Sequence, residues 1–273
     1  MLKIFEVGDY LIPGQYKIHS EFIHVVNYMN ISDDSMFSLV TPEVGGGPYN
    51  IVVENLDNYN QEMVLTKEYL KQNDVKRSSS NFKEVKIQIP REKLEYFRER
   101  LLENKNLSYL IDDQAKPNQP ISFDDHLKYQ LLEGKRVIFE EDLLEGIEML
   151  RGLGRGLTPS GDDFLMGMMI GIHLKMLCTR QIDSYRDRIL KLILENSLGE
   201  NELSNWFLKS AFKGLVSCRM KNFIKVLSSG SLNDLKEAFE EQSQVGYSSG
   251  LDQLVGLYEV IKREYPWPTL LSH

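Results

Sequence analysis

In the first ninety residues, short runs of β-branched and aromatic residues alternate with turn segments. Such runs are typical of β-strands. They predict strands at Lys17–Met29, Met36–Thr41, Asn50–Glu54, Glu62–Thr66 and Lys83–Ile89. The clearest turn segment is Val44-Gly-Gly-Gly-Pro48. Its glycines fit either a turn between two strands or a stretch of backbone that lines a pocket.

After Pro90, apolar residues recur at helical spacing, as at Leu94, Phe97 and Leu101 between charged residues. Helices are predicted at Arg91–Lys105, Ser122–Leu132, Glu140–Leu150, Asp162–Leu177, Ile182–Glu195, Glu202–Lys213, Met220–Leu227, Ser231–Gln242 and Ser249–Glu264. The segment Asp112–Pro120 contains two prolines and is predicted to be a linker. Strands and helices are therefore segregated, which predicts an α+β protein. A β-rich domain (1–90), barrel-like or a sandwich, would pack on a mainly helical domain (91–273).

Composition and charge exclude several classes of function. A net charge of −8 over 273 residues argues against a nucleic-acid partner. Cys178 and Cys218 are far apart and form no C-x-x-C pair, so neither a zinc site nor a disulfide framework is expected. The N-terminal residues do not resemble a signal peptide, and the apolar run 164–177 is too short to span a membrane. We therefore expect a cytoplasmic protein with no membrane partner.

Residues 152–163, Gly-Leu-Gly-Arg-Gly-Leu-Thr-Pro-Ser-Gly-Asp-Asp, carry the strongest functional signal. The glycines, including Gly154 and Gly156, allow positive φ and close approach to a ligand. Thr158 and the proline after it predict a helix start, where Ser160 and Gly161 follow at once. A glycine-rich loop that leads into a helix N-terminus is a plausible binding site for an anion.

A shorter form of this motif recurs near the C-terminus. Residues 160–167 and 249–256 both fit the pattern S-G-x-D-x-L-x-G, so that Ser249 and Gly250 match Ser160 and Gly161. Chance or helix capping alone could produce the match. The alternative is that two matched helix N-termini face one pocket. Gly167 and Gly256 would then let the two helices cross closely and bring the two starts together.

Three interpretations are open for Asp162 and Asp163. They could interact with the helix dipole as caps, bind Mg²⁺ beside a phosphate, or accept hydrogen bonds from an amide or amine of a small substrate. Adjacent helical residues point about 100° apart, so the two side chains are not expected to face one ligand. Asp163 is the choice for the pocket because it matches Asp252. Arg155 could bind a carboxylate or phosphate, or could be a solvated surface residue.

The stretch Gly156–Gly167 resembles the signature of a bacterial family classed as a domain of unknown function. One branch of that family is a subunit of oxamate carbamoyltransferase, from anaerobic allantoin degradation. Residues 246–256 are similar to the family's second signature, and Gly47-Pro48 is similar to its N-terminal part. A helix pattern between the two signatures is matched by Ser204, Leu208, Ala211 and Gly214. The chain departs from the family at Glu200-Asn201, where a threonine pair is expected.

The resemblance implies a transferase subunit of purine or amide nitrogen metabolism. A carbamoyl group would be exchanged between carbamoyl phosphate and the amide nitrogen of an oxamate-like or oxalurate-like anion. It also implies a multi-subunit complex that includes a subunit similar to acyl-CoA synthetases. No cofactor follows with certainty, and Mg²⁺ stays open.

The resemblance and the two repeated motifs together predict a binding site for a small anion, formed by corresponding residues of the two motifs. The catalytic candidates are Asp163, Asp252 and Ser160. The binding candidates are Gly154, Arg155, Gly156, Thr158, Gly161, Asp162, Ser249 and Gly250. In the competing hypothesis the chain is a non-catalytic binding or assembly subunit, and the motifs only dock two helices or a partner.

Overall fold

A computed structural model describes residues 2–71, 75–82, 88–104, 108–112, 122–179 and 183–263. The chain forms two compact units. The first comprises residues 1–82 and 215–224, and the second comprises 83–214 and 225–273. The domains predicted from the sequence have one boundary, near residue 90, whereas these units have boundaries at three places.

The first unit is built on a curled, half-barrel sheet. Its strands in the described residues are β1 (Ile4–Val7), β2 (Gly14–Phe22), β3 (Val25–Asn30), β4 (Met36–Val40), β5 (Asn50–Val53), β6 (Glu62–Leu65) and β7 (Lys76–Arg77). Their order is β6-β2-β3-β4-β5-β1-β7. The pairs β4–β5 and β1–β7 are parallel and the other neighbours are antiparallel. Tyr28 stacks on Phe37 in the core of this sheet, with ring centroids 4.8 Å apart.

One strand prediction needs correction, and another lies mostly outside the described residues. The run 17–29 is a hairpin of β2 and β3, with its turn at Ile23-His24, and not one strand. This turn has no glycine, proline or asparagine, so its residues carry no local turn signal. Of the strand predicted at 83–89, residues 83–87 lie outside the described part, and residues 88–89 are not in a strand.

The segment 215–224 pairs with loops of the sheet. Ser80 accepts a hydrogen bond from the Val216 main-chain N–H at 3.2 Å, and Gly46 accepts one from the Cys218 N–H at 2.9 Å. A Cβ atom on Gly46 would lie 2.0 Å from Oε1 of Glu6. Gly46 is therefore required for the packing of this unit.

The helices are α1 (Arg91–Glu103), α2 (Ser108–Ile111), α3 (Phe123–Glu140), α4 (Leu143–Leu150), α5 (Ser160–Thr179), α6 (Asp183–Ser197), α7 (Glu202–Lys213), α8 (Cys218–Ser229), α9 (Leu232–Ser243) and α10 (Ser249–Ile261). Strands occupy the N-terminal part and helices the C-terminal part, which confirms the α+β class. Helix α3 runs eight residues past its predicted end at Leu132, because Gly134 packs on Leu150 and does not break the helix. No helix of the described residues is long and apolar enough to cross a membrane.

Helices α5 and α10 form the centre of the second unit. Both are buried over most of their length. A Cβ atom on Gly167 would lie 2.0 Å from the main-chain oxygen of Gln253, and one on Gly256 would lie 2.1 Å from that of Phe164. The predicted close crossing of the two helices is therefore confirmed. The contacts are reciprocal. Gly167 and Gly256 occupy the same position in the two motifs, and so do their contacts, Phe164 and Gln253.

Candidate functional site

The loop between α4 and α5 is held by its glycines. Gly152, Gly154 and Gly156 have φ values of 69°, 133° and 102°, in the region that glycine favours. A Cβ atom on Gly154 would also lie 2.5 Å from the main-chain nitrogen of Ser160. The loop closes where the Gly161 N–H donates to the Leu153 carbonyl at 2.8 Å. The prediction of positive φ in this stretch is confirmed.

The loop before α10 repeats this local structure. A Cβ atom on Gly161 would lie 1.9 Å from the carbonyl oxygen of Leu150, at the end of α4. One on Gly250 would lie 1.9 Å from that of Gln242, near the end of α9. The Gly250 N–H donates to the Val245 carbonyl at 3.0 Å. Each motif glycine thus packs on the end of the preceding helix, and its amide hydrogen is already used.

The two motifs meet at hydroxyl groups. The Oγ1 atom of Thr158 lies 2.9 Å from Oγ of Ser249 and 2.7 Å from Oδ2 of Asp163. Gln253 donates from Nε2 to the other oxygen of Asp163, Oδ1, at 3.1 Å. Both oxygens of the Asp163 carboxylate therefore have hydrogen-bond partners. One of these partners, Gln253, belongs to α10.

Asp252 completes a reciprocal arrangement. The hydroxyl groups of Ser160 and Ser248 lie near its carboxylate and lower its pKa against the effect of burial. Its Oδ2 atom is buried and has no hydrogen-bond partner. Ser160 of the first motif therefore interacts with Asp252 of the second motif, and Ser249 of the second motif interacts with Asp163 of the first. We call these six residues the hydroxyl–carboxylate cluster: Thr158, Ser160, Asp163, Ser248, Ser249 and Asp252.

Burial divides the cluster into two kinds of group. The hydroxyl-bearing residues are only partly buried, whereas Asp163 and Asp252 are 1% and 3% exposed. Burial raises the pKa of Asp163 to about 7, and the nearby charge of Asp252 raises it further against the opposing effect of the hydrogen bonds. Burial also raises the pKa of Asp252 to about 6. Perturbed carboxyl groups of this kind are common at functional sites.

Asp162 faces away from this cluster. Its Oδ1 atom accepts a hydrogen bond from the Gly152 N–H at 2.7 Å, and burial raises its pKa. Asp162 therefore closes the glycine loop while Asp163 joins the cluster, which agrees with the angle expected between neighbouring helical residues. In the described part of the chain, no three His, Cys, Asp or Glu side chains are placed to hold a metal ion.

The other predicted site residues fall into three groups. Thr158, Ser160, Asp163, Ser249 and Asp252 come together in the cluster, and the glycines at 154, 156, 161 and 250 shape its two loops. Arg155 does not join them. Its guanidinium lies 4.6 Å from the ring centroid of Phe123 and 3.5 Å from Oδ1 of Asp124, on the exposed side of the loop.

Sequence reasoning missed three contributors: Ser248, Gln253 and Asn201. The Oδ1 atom of Asn201 caps α7 by accepting from the Ser204 N–H at 2.9 Å, and its Nδ2 donates to the Leu157 carbonyl at 2.8 Å. The residue that departs from the family pattern thus holds the site loop. A detectable signal for Gln253 was its place directly after a matched aspartate in an otherwise apolar helix.

Comparison with known proteins gives one match. Residues 150–261 match the family described as oxamate carbamoyltransferase subunit AllH. No curated protein and no solved structure matches the chain. The matched segment is less than half of the chain, but it runs from the glycine loop to the end of α10 and contains the whole cluster. Over this segment the chain is similar to the AllH family of oxamate carbamoyltransferase subunits, which supports the resemblance carried by its motifs.

Proposed function

We propose that this chain is a carbamoyltransferase subunit that binds a small anionic amide, of the oxamate or oxalurate type, at the hydroxyl–carboxylate cluster. One observation carries the proposal. Two buried carboxylates stand behind partly buried hydroxyl groups, and Oδ2 of Asp252 has no partner. A buried carboxylate oxygen without a hydrogen bond is costly, so a ligand that supplies an N–H group would be strongly favoured there.

The reaction class needs these groups. In carbamoyl transfer from carbamoyl phosphate, the amide nitrogen attacks the carbonyl carbon, the bond from that carbon to the phosphate oxygen breaks, and the nitrogen loses a proton. In this proposal Asp252 orients the amide N–H and accepts that proton. With its pKa of about 6, its carboxylate is mainly ionised at neutral pH and can act as a base.

Hydroxyl groups would bind the oxygen atoms of the anions. Thr158, Ser160 and Ser249 are only partly buried and can reach a ligand in front of the carboxylates. The amide hydrogens of Gly161 and Gly250 already pair with carbonyl groups, so these two amides are weaker candidates. Asp163 has partners on both oxygens and would act through the hydroxyl groups that it holds.

The proposed partners are the other subunits of the transferase, including one similar to acyl-CoA synthetases, in the cytoplasm. The residues for catalysis would then be shared between chains, and the isolated chain would bind substrate without turning it over.

The competing proposal is a non-catalytic assembly subunit. The closeness of the crossing at Gly167 and Gly256 favours it, because hydroxyl–carboxylate pairs could simply join two helices. This alternative predicts no binding of small anions by the isolated chain.

Calorimetry of the isolated chain with oxamate, oxalurate and carbamoyl phosphate separates the two proposals. We expect wild-type binding that Asp252→Asn weakens by at least about tenfold, the value of a lost charged hydrogen bond. The control is Asp234→Asn, at the exposed start of α9, which should leave binding unchanged. No binding by the wild-type chain, or equal binding by Asp252→Asn, would contradict the substrate site.

Transferase activity of the reconstituted complex is the second test. Ser160→Ala, Asp163→Asn and Asp252→Asn should each reduce the rate, while gel filtration shows that the complex still assembles. Full activity in all three variants would show that the cluster is not the active site.

A further inference from the structure

The hydroxyl group of Thr158 holds a central position in the cluster. Its Oγ1 atom lies 2.7 Å from Oδ2 of Asp163 and 2.9 Å from Oγ of Ser249. A hydroxyl group has one hydrogen to donate. Thr158 must therefore donate in one of these hydrogen bonds and accept in the other.

Two arrangements satisfy this requirement. When Asp163 is ionised, Thr158 donates to Asp163, and Ser249 donates its hydrogen to Thr158. The lone pairs of Ser249 then face the ligand. When Asp163 is protonated, it donates to Thr158, Thr158 donates to Ser249, and the hydrogen of Ser249 is free for the ligand.

The position of the proton on Asp163 is also fixed. Gln253 donates from Nε2 to Oδ1, and Oε1 of Gln253 accepts from Nε2 of Gln242 at 3.4 Å. Because Oδ1 already accepts an N–H hydrogen, Oδ2 is the oxygen that holds the proton. Oδ2 is also the oxygen that contacts Thr158.

We infer that protonation of Asp163, transmitted through Thr158, switches Ser249 from a hydrogen-bond acceptor for an amide N–H to a donor for an anionic oxygen. Asp163 is then a positioning residue that sets the ligand preference of the site. The inference rests on the proposed function, because it assumes that ligands with amide and carboxylate groups reach Ser249.

The charges around Asp163 allow both arrangements near neutral pH. From α10 it faces Asp252, whose charge raises the pKa of Asp163, and the uncharged Gln253. From α9 the nearest polar side chain in this network is the uncharged Gln242. On its own helix, Asp162 is turned to the Gly152 N–H.

No cation of the described residues pairs with Asp163. In the preceding loop, the guanidinium of Arg155 points to Asp124. Burial therefore dominates the pKa of Asp163, which lies at about 7. Both arrangements are therefore accessible near neutral pH.

The test compares oxamate with oxalate, which has a carboxylate where oxamate has the amide. Their affinities for the full-length chain would be measured by calorimetry between about pH 5.5 and about pH 8.5, on either side of the pKa of Asp163. Both probes keep their charge over this range. We expect the ratio of oxamate affinity to oxalate affinity to rise about fivefold with pH, the value of one hydrogen bond gained.

Matched variants isolate the hydroxyl chain. Thr158→Val keeps the shape but removes the hydroxyl group, and Asp163→Asn removes the titrating group, so both should reduce the pH dependence of the ratio to the part that the titration of Asp252 contributes. Thr158→Ser restores a hydroxyl group and should restore the pH dependence. Asp252→Asn tests whether the other carboxyl causes the effect, and it should keep the pH dependence while changing both affinities.

A flat ratio in the wild-type chain, or an undiminished pH dependence in Thr158→Val, would overturn the inference. If neither probe binds at any pH, the proposed function fails, and NMR still decides the switch. The ¹³Cβ resonance of Ser249 should then follow the titration of Asp163 in the wild type and lose most of that response in Thr158→Val. An equal response in both proteins would overturn the switch independently of ligand binding.

Discussion

At the scale of single residues, the cost of burying two carboxyl groups is the main feature of this chain. Asp163 and Asp252 lie beneath hydroxyl groups and an amide, which offset only part of the loss of water. Hydroxyl groups can change their direction, whereas a lysine or arginine would fix the carboxylates in the ionised form. The cluster thus keeps its protons exchangeable near neutral pH.

This burial predicts how stability depends on pH. The folded-state pKa of Asp163, about 7, lies above its ordinary value of 3.8, so the folded protein holds more protons than the unfolded chain between these values. Its stabilising contribution is complete below about pH 4 and is lost as the pH rises through 7. Between pH 5 and pH 8, the titration of Asp163 should lower the free energy of unfolding by on the order of 3 kcal/mol. Urea unfolding at the two pH values should show that Asp163→Asn abolishes this decrease.

Asp234 provides the opposite control. Hydrogen bonds from Ser231 lower its pKa, so its contribution is present at neutral pH and is lost on acidification. Because Asp234 is ionised in both the folded and the unfolded chain above pH 5, Asp234→Asn should leave the fall in stability between pH 5 and pH 8 unchanged, whereas Asp163→Asn makes it shallower. An unchanged pH profile in Asp163→Asn would show that this carboxyl titrates at its ordinary pKa.

The spacing within the motifs was sufficient to match Asp163 with Asp252. It could not show that the serine of each motif interacts with the aspartate of the other. Which hydroxyl serves which carboxylate depends on how the helices cross, and a pattern within one helix does not contain that information. The orientation of the Arg155 side chain could not be predicted from the sequence for a similar reason. Its partners Phe123 and Asp124 precede it by about thirty residues and lie in another helix.

At the scale of helices, the crossing of α5 and α10 places the cluster. Two glycines let the helix backbones approach to contact distance, so the first turns meet without intervening side chains. The pattern of small residues predicted this crossing. It could not predict the bounds of α3, since Gly134 is a packing contact there, although glycine commonly ends a helix.

Gly167→Ala and Gly256→Ala should therefore each destabilise the fold by about 2–3 kcal/mol or more, because the added Cβ meets main-chain oxygens that cannot move independently. Gly199→Ala is the matched control. Its Cβ would lie 3.6 Å from Cγ of Arg151, an ordinary contact, and stability should change by less than about 0.5 kcal/mol. Urea unfolding measures all three. Equal stability of the Gly167 and Gly199 variants would contradict the close crossing.

Asn201 joins α7 to the site loop, and its two functions can be separated. Asn201→Asp keeps a side-chain oxygen to cap Ser204 but loses the N–H that binds the Leu157 carbonyl. We expect unfolding free energy to change by less than about 0.5 kcal/mol, while hydrogen exchange in residues 152–158 accelerates. Asn201→Ala loses both functions and should cost about 1 kcal/mol. Unchanged exchange in Asn201→Asp would show that the contact does not restrain the loop.

At the scale of the whole molecule, the chain order and the compact units differ. The change from strand-like runs to helical spacing near residue 90 predicted a β-rich part followed by a helical part, because both periodicities are local properties of the sequence. It did not predict that residues 215–224 belong with the sheet. An amphipathic pattern shows that a helix has a buried face, but it does not show which core receives that face.

A fragment of residues 1–82 should therefore lack a cooperative unfolding transition. It loses the main-chain bonds of Val216 and Cys218 and the buried side chains of Met220 and Phe223. The same fragment joined to residues 215–224 by a flexible linker should recover the transition in thermal unfolding followed by circular dichroism. Equal transitions in the two fragments would show that the sheet is stable without this segment.

The contact between Thr158 and Ser249 also has a consequence for synthesis of the chain. These residues are 91 positions apart, and at about 5–20 residues per second the ribosome needs roughly 5–20 s to travel between them. Throughout that interval the first motif exists without the groups that complete it. A ribosome that stops just before α10 releases a chain with most of its helices and no complete cluster, so a complete cluster forms only after the last described helix has been translated.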